Sequence, residues 1–154
     1  HKARAADTSQ FGDIELAGIA LGICDAALDM GLQYARKTTR EGRVLSAHQT
    51  VQLRLSEMQV LTEALRSFVM RTAWERELAS RPGAKSKDYV NGQLVMIFSK
   101  STVQRVTRLN VDLHRAIGAM DEGADKPARD ASVWTHLAGS TLLNIIAAKV
   151  LING

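Results

Sequence analysis

One cysteine, Cys24, stands in 154 residues. No internal disulfide can close around it, and a thiolate cluster for zinc is excluded. A reducing compartment is therefore the default, and the cytoplasm is the expected location. Proline is almost missing as well, with two residues in the whole chain, and aromatics make up only 5%. A chain so poor in breakers and large rings favours long helices packed through Leu, Ile, Val, Ala and Met. No apolar run reaches membrane-spanning length, and no secretory signal pattern opens the sequence. There is no GxGxxG, no P-loop and no strand-like alternation, which excludes a phosphate-binding α/β unit. Charge of one sign is not gathered anywhere: 20 basic and 16 acidic residues leave +4, with acids scattered among the bases. A nucleic-acid surface needs a clustered footprint, so that partner is not expected.

What is present is helical periodicity. The apolar fraction of 45% and the 23% charged fraction are those of an ordinary folded domain of this length. Residues His1 to Gln10 carry no period and read as a tail or a cut linker, leaving 11–154 as one bundle domain. From Phe11 to about Ala35, Ile14, Ala17, Leu21, Leu28 and Leu32 fall on one face. Ala17, Gly18, Ala20 and Gly22 keep that helix thin, which suits close packing either within one subunit or between two. After a turn at Gly42, Ser46 and Gln49 have the spacing of a capping box. A second helix follows from about Ala47 to Ala79, through Val51, Leu55, Met58, Leu61, Leu65 and Phe68, and stops at Arg81-Pro82-Gly83. A third begins after Ser86 and runs through Leu94, Val103, Val106, Leu109 and Leu113 to Gly118. Pro127 suits the first turn of a fourth, which continues to Leu151 with Gly139 in its middle. Four long helices with short connections predict an all-α, antiparallel four-helix bundle.

Isolated chemistry is thin. His48, His114 and His136 lack metal-ligand spacing and read as helix-end or surface residues, so no metal is expected. Ser99 and Ser101 read as back-bonded or solvent-facing serines in a helix. The same residues that seal the start of the second helix are also an anion-friendly place, because free N–H groups and the helix dipole favour negative charge there.

The order of the motifs carries more. A thin Ala/Gly-rich helix leads to Tyr34-Ala35, a turn with Gly42, His48-Gln49, a Leu-x-x-Met helix, the Leu113–Gly118 turn, Arg129-Asp130-Ala131 and Ala138-Gly139-Ser140-Thr141. In this order the chain resembles the C-terminal helical domain of the acyl-CoA dehydrogenases, over roughly Phe11 to Leu151. The resemblance implies an oxidoreductase of fatty acyl thioesters, in which a glutamate removes an α-proton while a β-hydride passes to FAD. It also implies an oligomer, a dimer or tetramer of this chain or a pairing with a paralogous subunit. FAD is shared across the subunit interface, and this domain contacts the pyrophosphate and adenosine of a neighbour's flavin. The acyl thioester binds mostly in two further domains of the family that this chain does not contain.

Residue by residue, the resemblance is mixed. The family's Arg-x-x-Phe-Gly turn falls on Thr38, Thr39, Arg40, Glu41 and Gly42, where only the glycine is kept. Arg40 or Arg36 is the candidate substitute for the lost arginine, while Glu41 would repel a phosphate. His48 and Gln49 match the pair beside the cofactor, with Gln49 serving either there or as a helix cap. Arg115, in the turn where the family has Gly-Gly-x-Gly, and Gly139-Ser140 complete the cofactor-contacting candidates. The usual base positions are Ala138 and Gly12, neither of which can take a proton. Glu15, one helical turn along from Gly12, is the remaining catalytic candidate. The expectation is thus a domain inactive alone, with a degenerate non-catalytic subunit or a flavin-free assembly module as the alternative.

Overall fold

The computed structural model describes residues 13–81, 88–115 and 123–138, together with the single helical positions 145, 148, 149 and 152. Four helices make the bundle: α1 (Asp13–Lys37), α2 (Gln49–Ala79), α3 (Asp88–Arg115) and α4 (Lys126–Leu137). Between α1 and α2 lie two short strands, β1 (Thr39–Arg40) and β2 (Arg43–Val44), and a 3-10 turn, Leu45–Ala47.

Side-chain pairs fix the directions. Glu15 meets Arg76 and Asp25 meets Arg66, so α1 and α2 are antiparallel. Glu57 meets Arg105, and Arg54 reaches the Asp112 carbonyl, so α2 and α3 are antiparallel as well. Tyr34 stacks on His114 at 4.0 Å, and Asp13 lies beside Gly92. α1 and α3 therefore run together. In α4, Trp134 Nε1 donates to the Leu16 carbonyl at 2.8 Å, and Ala124 just ahead of the helix accepts from Asn110. The up-down-up-down bundle expected from periodicity is the fold observed.

The helices form where they do because each has a stripe to bury. α1 buries small residues: Ala17, Ala20, Cys24, Ala27, Gly31 and Ala35, with Leu28. Its first turn carries Asp13 and Glu15 and its last Arg36 and Lys37, both favourable to the helix dipole. Because α1 is thin, α3 comes close enough to be the central helix, packed on the other three. The core centres on Met58 and Leu65 of α2, Val95, Val103, Val106 and Leu113 of α3, and Trp134 of α4. Several hydroxyls buried among them are satisfied by their own helices: Ser99 donates to the Val95 carbonyl, Thr107 to Val103 and Thr62 to Met58, while Thr102 Oγ1 is buried without a partner. Burial also pushes the Cys24 thiol up to about 12, since its thiolate would lie in apolar surroundings beside Asp25.

The structure corrects several local expectations. α2 starts at Gln49, and its N-cap is His48, whose side chain makes no capping bond. The Ser46/Gln49 capping box is therefore absent. Ser46 is drawn into the 3-10 turn, and the amide that reaches back to its carbonyl belongs to Gln52, at 2.9 Å. β1 and β2 are strands where none was expected. α4 ends at Leu137 with Ala138 as its C-cap; Gly139, expected in the middle of a longer helix, lies outside the described residues, and positions 145, 148, 149 and 152 are helical. His114 is 2% exposed, a core residue and not a surface one.

One face of α2 has no partner among the described residues. Leu53, Val60 and Trp74, each 60% exposed or more, share a seven-residue spacing with Ser67, and Met70 flanks them.

Candidate functional site

α1 hands over to α2 through a tight sequence of hydrogen bonds. Thr38 N–H donates to the Tyr34 carbonyl, closing the helix, and Leu45 N–H returns to the Thr38 carbonyl at 2.9 Å. Within that loop Thr39 pairs with Val44 and Arg40 with Arg43. The two residues between, Glu41 and Gly42, both have positive φ, at 53° and 74°. That pair of values is the I′ turn of a two-residue hairpin, whose twist suits the flanking strands. Leu45, 4% exposed, pins the hairpin to the core. His48 then caps the 3-10 turn by donating its N–H to the Leu45 carbonyl, and α2 begins.

These elements enclose a cavity of about 240 Å³, lined by Arg40, Glu41, Leu45, His48, Thr50, Val51, Arg54 and Leu113. The His48 Nε2 is buried without a hydrogen-bond partner. Arg54 lies across the wall, its Nη1 donating to the Asp112 carbonyl at 3.2 Å and so fixing α2 to the end of α3. With no side-chain cap on α2, the Gln49 and Thr50 N–H groups lack an acceptor from the helix itself, while Val51 N–H already donates to the His48 carbonyl. Behind the cavity His114 stacks on Tyr34 and, with Nδ1 as the donor, bonds the Asn110 carbonyl at 2.8 Å, while its Nε2 is buried and unpartnered.

The opposite end of the bundle is acidic. Glu15 is 60% exposed, with Oε2 at 3.6 Å from Arg76. Asp13, in the same turn, is the more enclosed acid, and its Oδ2 would stand 3.5 Å from a Cβ on Gly92. Burial pushes the Asp13 carboxyl above its usual range, against the pull of Arg76 and with a smaller push from Glu15. The Trp134–Leu16 hydrogen bond brings the last turn of α4 to this same end. Ala138 therefore sits near the start of α1, buried in the core cluster. A larger groove of about 460 Å³ lies between α3 and α4, with Thr107, Arg108, Asp112, Ser132 and His136 on its walls. It includes none of the catalytic or cofactor-contacting candidates named from the sequence.

The family model described as acyl-CoA dehydrogenase, C-terminal domain, matches residues 4–151. The chain belongs to that family. Similar proteins include a probable acyl-CoA dehydrogenase, YngJ, of Bacillus subtilis, 29% identical over 94% of this chain and 37% of that protein. A 3-sulfinopropanoyl-CoA desulfinase of Paraburkholderia xenovorans is 29% identical over 80% of the chain and 30% of its own length. Among solved structures, an acyl-CoA dehydrogenase of Geobacillus kaustophilus superposes with a TM-score of 0.83 at 25% identity, covering 96% of this chain and 38% of that one. The chain thus spans about a third of the length of the relatives it matches.

Within this acyl-CoA dehydrogenase domain the candidate residues separate. Arg40 and His48 converge on the hairpin-end cavity; Gln49 is adjacent in sequence but exposed and not part of its lining. Glu15 lies some 25 residues earlier along α1, on the order of 35 Å away at the rise of an α-helix. Gly12, Gly139 and Ser140 lie outside the described residues, as does the Arg115 side chain. Reading the sequence missed Arg54, which has helical spacing from Thr50 and Val51 and needed the fold to bring it to the wall. It also missed Asp13, whose enclosure depends on Gly92 of a distant helix.

The group the family implies is FAD, and the residues at the hairpin end suit part of it. An orphaned imidazole nitrogen, two guanidinium groups and an uncapped helix start fit an anion of the phosphate class. The 240 Å³ cavity admits such a group and not a whole dinucleotide. Glu41 is the one lining residue that opposes it.

Proposed function

We propose that this chain is the FAD-contacting, subunit-joining C-terminal domain of an acyl-CoA dehydrogenase-like flavoprotein. With the remaining domains present it desaturates an acyl thioester between the α and β carbons; alone it is inactive. The observation that carries the reading is the convergence of Arg40, Arg54 and the unpartnered His48 Nε2 on one cavity. Arg40 and Arg54 would hold the pyrophosphate by charge-assisted hydrogen bonds, with His48 and the first N–H groups of α2 as further donors. Gln49, exposed beside them, and Arg115, Gly139 and Ser140 are assigned to the outer contacts of the same cofactor. Bound FAD would supply the hydride acceptor.

The proton is a separate matter. Ala138 and Gly12 occupy the family's base positions and have no acid. Glu15, about 4.5 Å further along the helix axis than Gly12, is the carboxyl put forward in their place. Because Glu15 and the cavity sit at opposite ends, one copy of the domain cannot supply both to one reacting centre. That separation supports a homo-oligomer, a dimer or tetramer, or a pairing with a paralogous subunit. The uncovered apolar face of α2 supports the same reading.

Flavin absorbance tests the proposal. It is expected to survive desalting when the chain is joined to the missing domains, and the isolated chain with added FAD and acyl thioester is expected to show no turnover. Turnover by the chain alone ends the claim of inactivity, and a colourless assembled protein ends the claim of a cofactor. In a second reading the chain is a non-catalytic subunit kept for assembly, with flavin chemistry done elsewhere; Glu41 on the cavity wall and Ala138 in place of an acid favour it.

A further inference from the structure

We propose that Glu41 sets the specificity of the hairpin-end cavity, turning it away from free polyphosphates of charge three or more and towards phosphate-class groups of lower charge, the singly charged phosphates of a dinucleotide diester among them. This inference rests on the anion-binding reading above and goes beyond it by naming the side chain that limits which anion enters.

Three observations lead to it. Apart from the apolar Leu45, Val51 and Leu113, the cavity wall is otherwise cationic or able to donate hydrogen bonds: Arg40, Arg54, Thr50 and His48, whose Nε2 is buried without a partner. Glu41 is the one acid in that lining. It is also held there by an unfavourable backbone, with φ at 53°. A two-residue I′ turn takes Asn, Asp or Gly at this place with less strain, because short polar side chains or none suit the left-handed region. Glutamate brings no such local benefit, so the turn does not account for it, and strained residues beside cavities are where function is sought.

The fixed turn brings the Glu41 carboxylate next to Arg40, Oε1 to Nε 3.7 Å. From there it offsets part of the guanidinium charge and repels an entering anion. Repulsion grows with the product of the charges, so at one distance a trianion meets about three times the opposition of a monoanion. The carboxylate is 76% exposed, so water and salt weaken the effect without abolishing it.

The test is calorimetric titration of the whole chain with inorganic phosphate and, separately, inorganic pyrophosphate, without divalent cations, at low and at raised salt. Glu41→Gln should tighten pyrophosphate about tenfold and phosphate about twofold, with the gap closing as salt rises. Glu41→Asn, which suits the turn better, should give the same change in ratio and guards against a folding defect in the first variant. Glu63→Gln, which neutralises an acid on α2 outside the cavity lining, should leave both affinities unchanged. An unchanged ratio in both Glu41 variants overturns the role of Glu41 while leaving the cavity as an anion site. If neither anion binds wild type or variants, the anion-binding reading falls too.

Discussion

The hairpin end and the acidic end of the bundle are made by the same helices, yet they leave different things unsatisfied. At the hairpin end polar groups line a hollow: an imidazole whose Nε2 has no partner, a helix start without a side-chain cap, and two guanidinium groups held by Glu41 and by the Asp112 carbonyl. At the other end Glu15 is met by Arg76, Trp134 donates to the Leu16 carbonyl, and Ala138 is buried. An unpartnered polar atom beside a cavity is what a ligand uses; an end braced by an ion pair, a side-chain hydrogen bond and packing is what a scaffold needs. The contrast supports the proposed division, recognition at one end and support at the other.

The sharpest way to break that division is to damage the supporting end alone. Trp134→Ala removes a 3% exposed ring and its hydrogen bond to Leu16, and should cost about 3–5 kcal/mol in chemical denaturation. If the chain loses less than about 1 kcal/mol, this end is not the anchor described. Next comes the wall behind the cavity. A Cβ on Gly31 would stand 3.3 Å from Asn110 Oδ1 and 3.4 Å from Leu113 and Leu55 methyls. Crowding should outweigh the better helix propensity of alanine, so Gly31→Ala should lower stability by about 1 kcal/mol. A gain on thermal melting would mean that this seam has slack.

Smaller effects probe each end's strain. Glu41→Asn should raise stability by about 0.5–1 kcal/mol, because asparagine tolerates a positive φ better than glutamate. An unchanged melting temperature would remove strain from the account of that residue. At the acidic end, burial raises the Asp13 carboxyl in the folded chain above its unfolded value. The native state then holds the proton more tightly, a contribution to stability that is present at low pH and lost as pH rises through the folded value. At neutral pH the charged side chain is a burden, so Asp13→Asn should melt higher than wild type there. The advantage should vanish below about pH 4, where the carboxyl is protonated in both states. An equal gain at all pH values would point to a cause other than charge.

Much of the architecture was legible because a period of 3.6 sustained over 25 residues or more leaves few alternatives; α1, α2 and α3 come out of Ile14–Leu32, Val51–Phe68 and Leu94–Leu113 in that way. The hairpin was not legible, since two residues per strand cannot display alternation and Gly42 alone marks only a turn. The capping box failed for a related reason. Its spacing was met, but the 3-10 turn took Ser46 out of reach and left His48 as the cap. Arg40 and His48 were named from the motif order and do meet in space. Arg54 and Asp13 gain their surroundings from α3, across separations that no local pattern encodes. His114 had a signal that went unused: it lies four residues after Asn110 and seven after Thr107, on the inward side of α3.

The small residues buried along α1 carry a constraint on how this domain can change. Ala17, Ala20, Ala27 and Gly31 contribute almost no volume to the seam, so nearly all the material filling it comes from the facing helices. A bulkier residue at Ala20 or Ala27 then has no soft neighbour to displace and requires a matching truncation across the seam. Substitutions along these helices should accordingly travel in compensating pairs, with single enlargements tolerated only on the outer side, where Gly18 and Gly22 face open space.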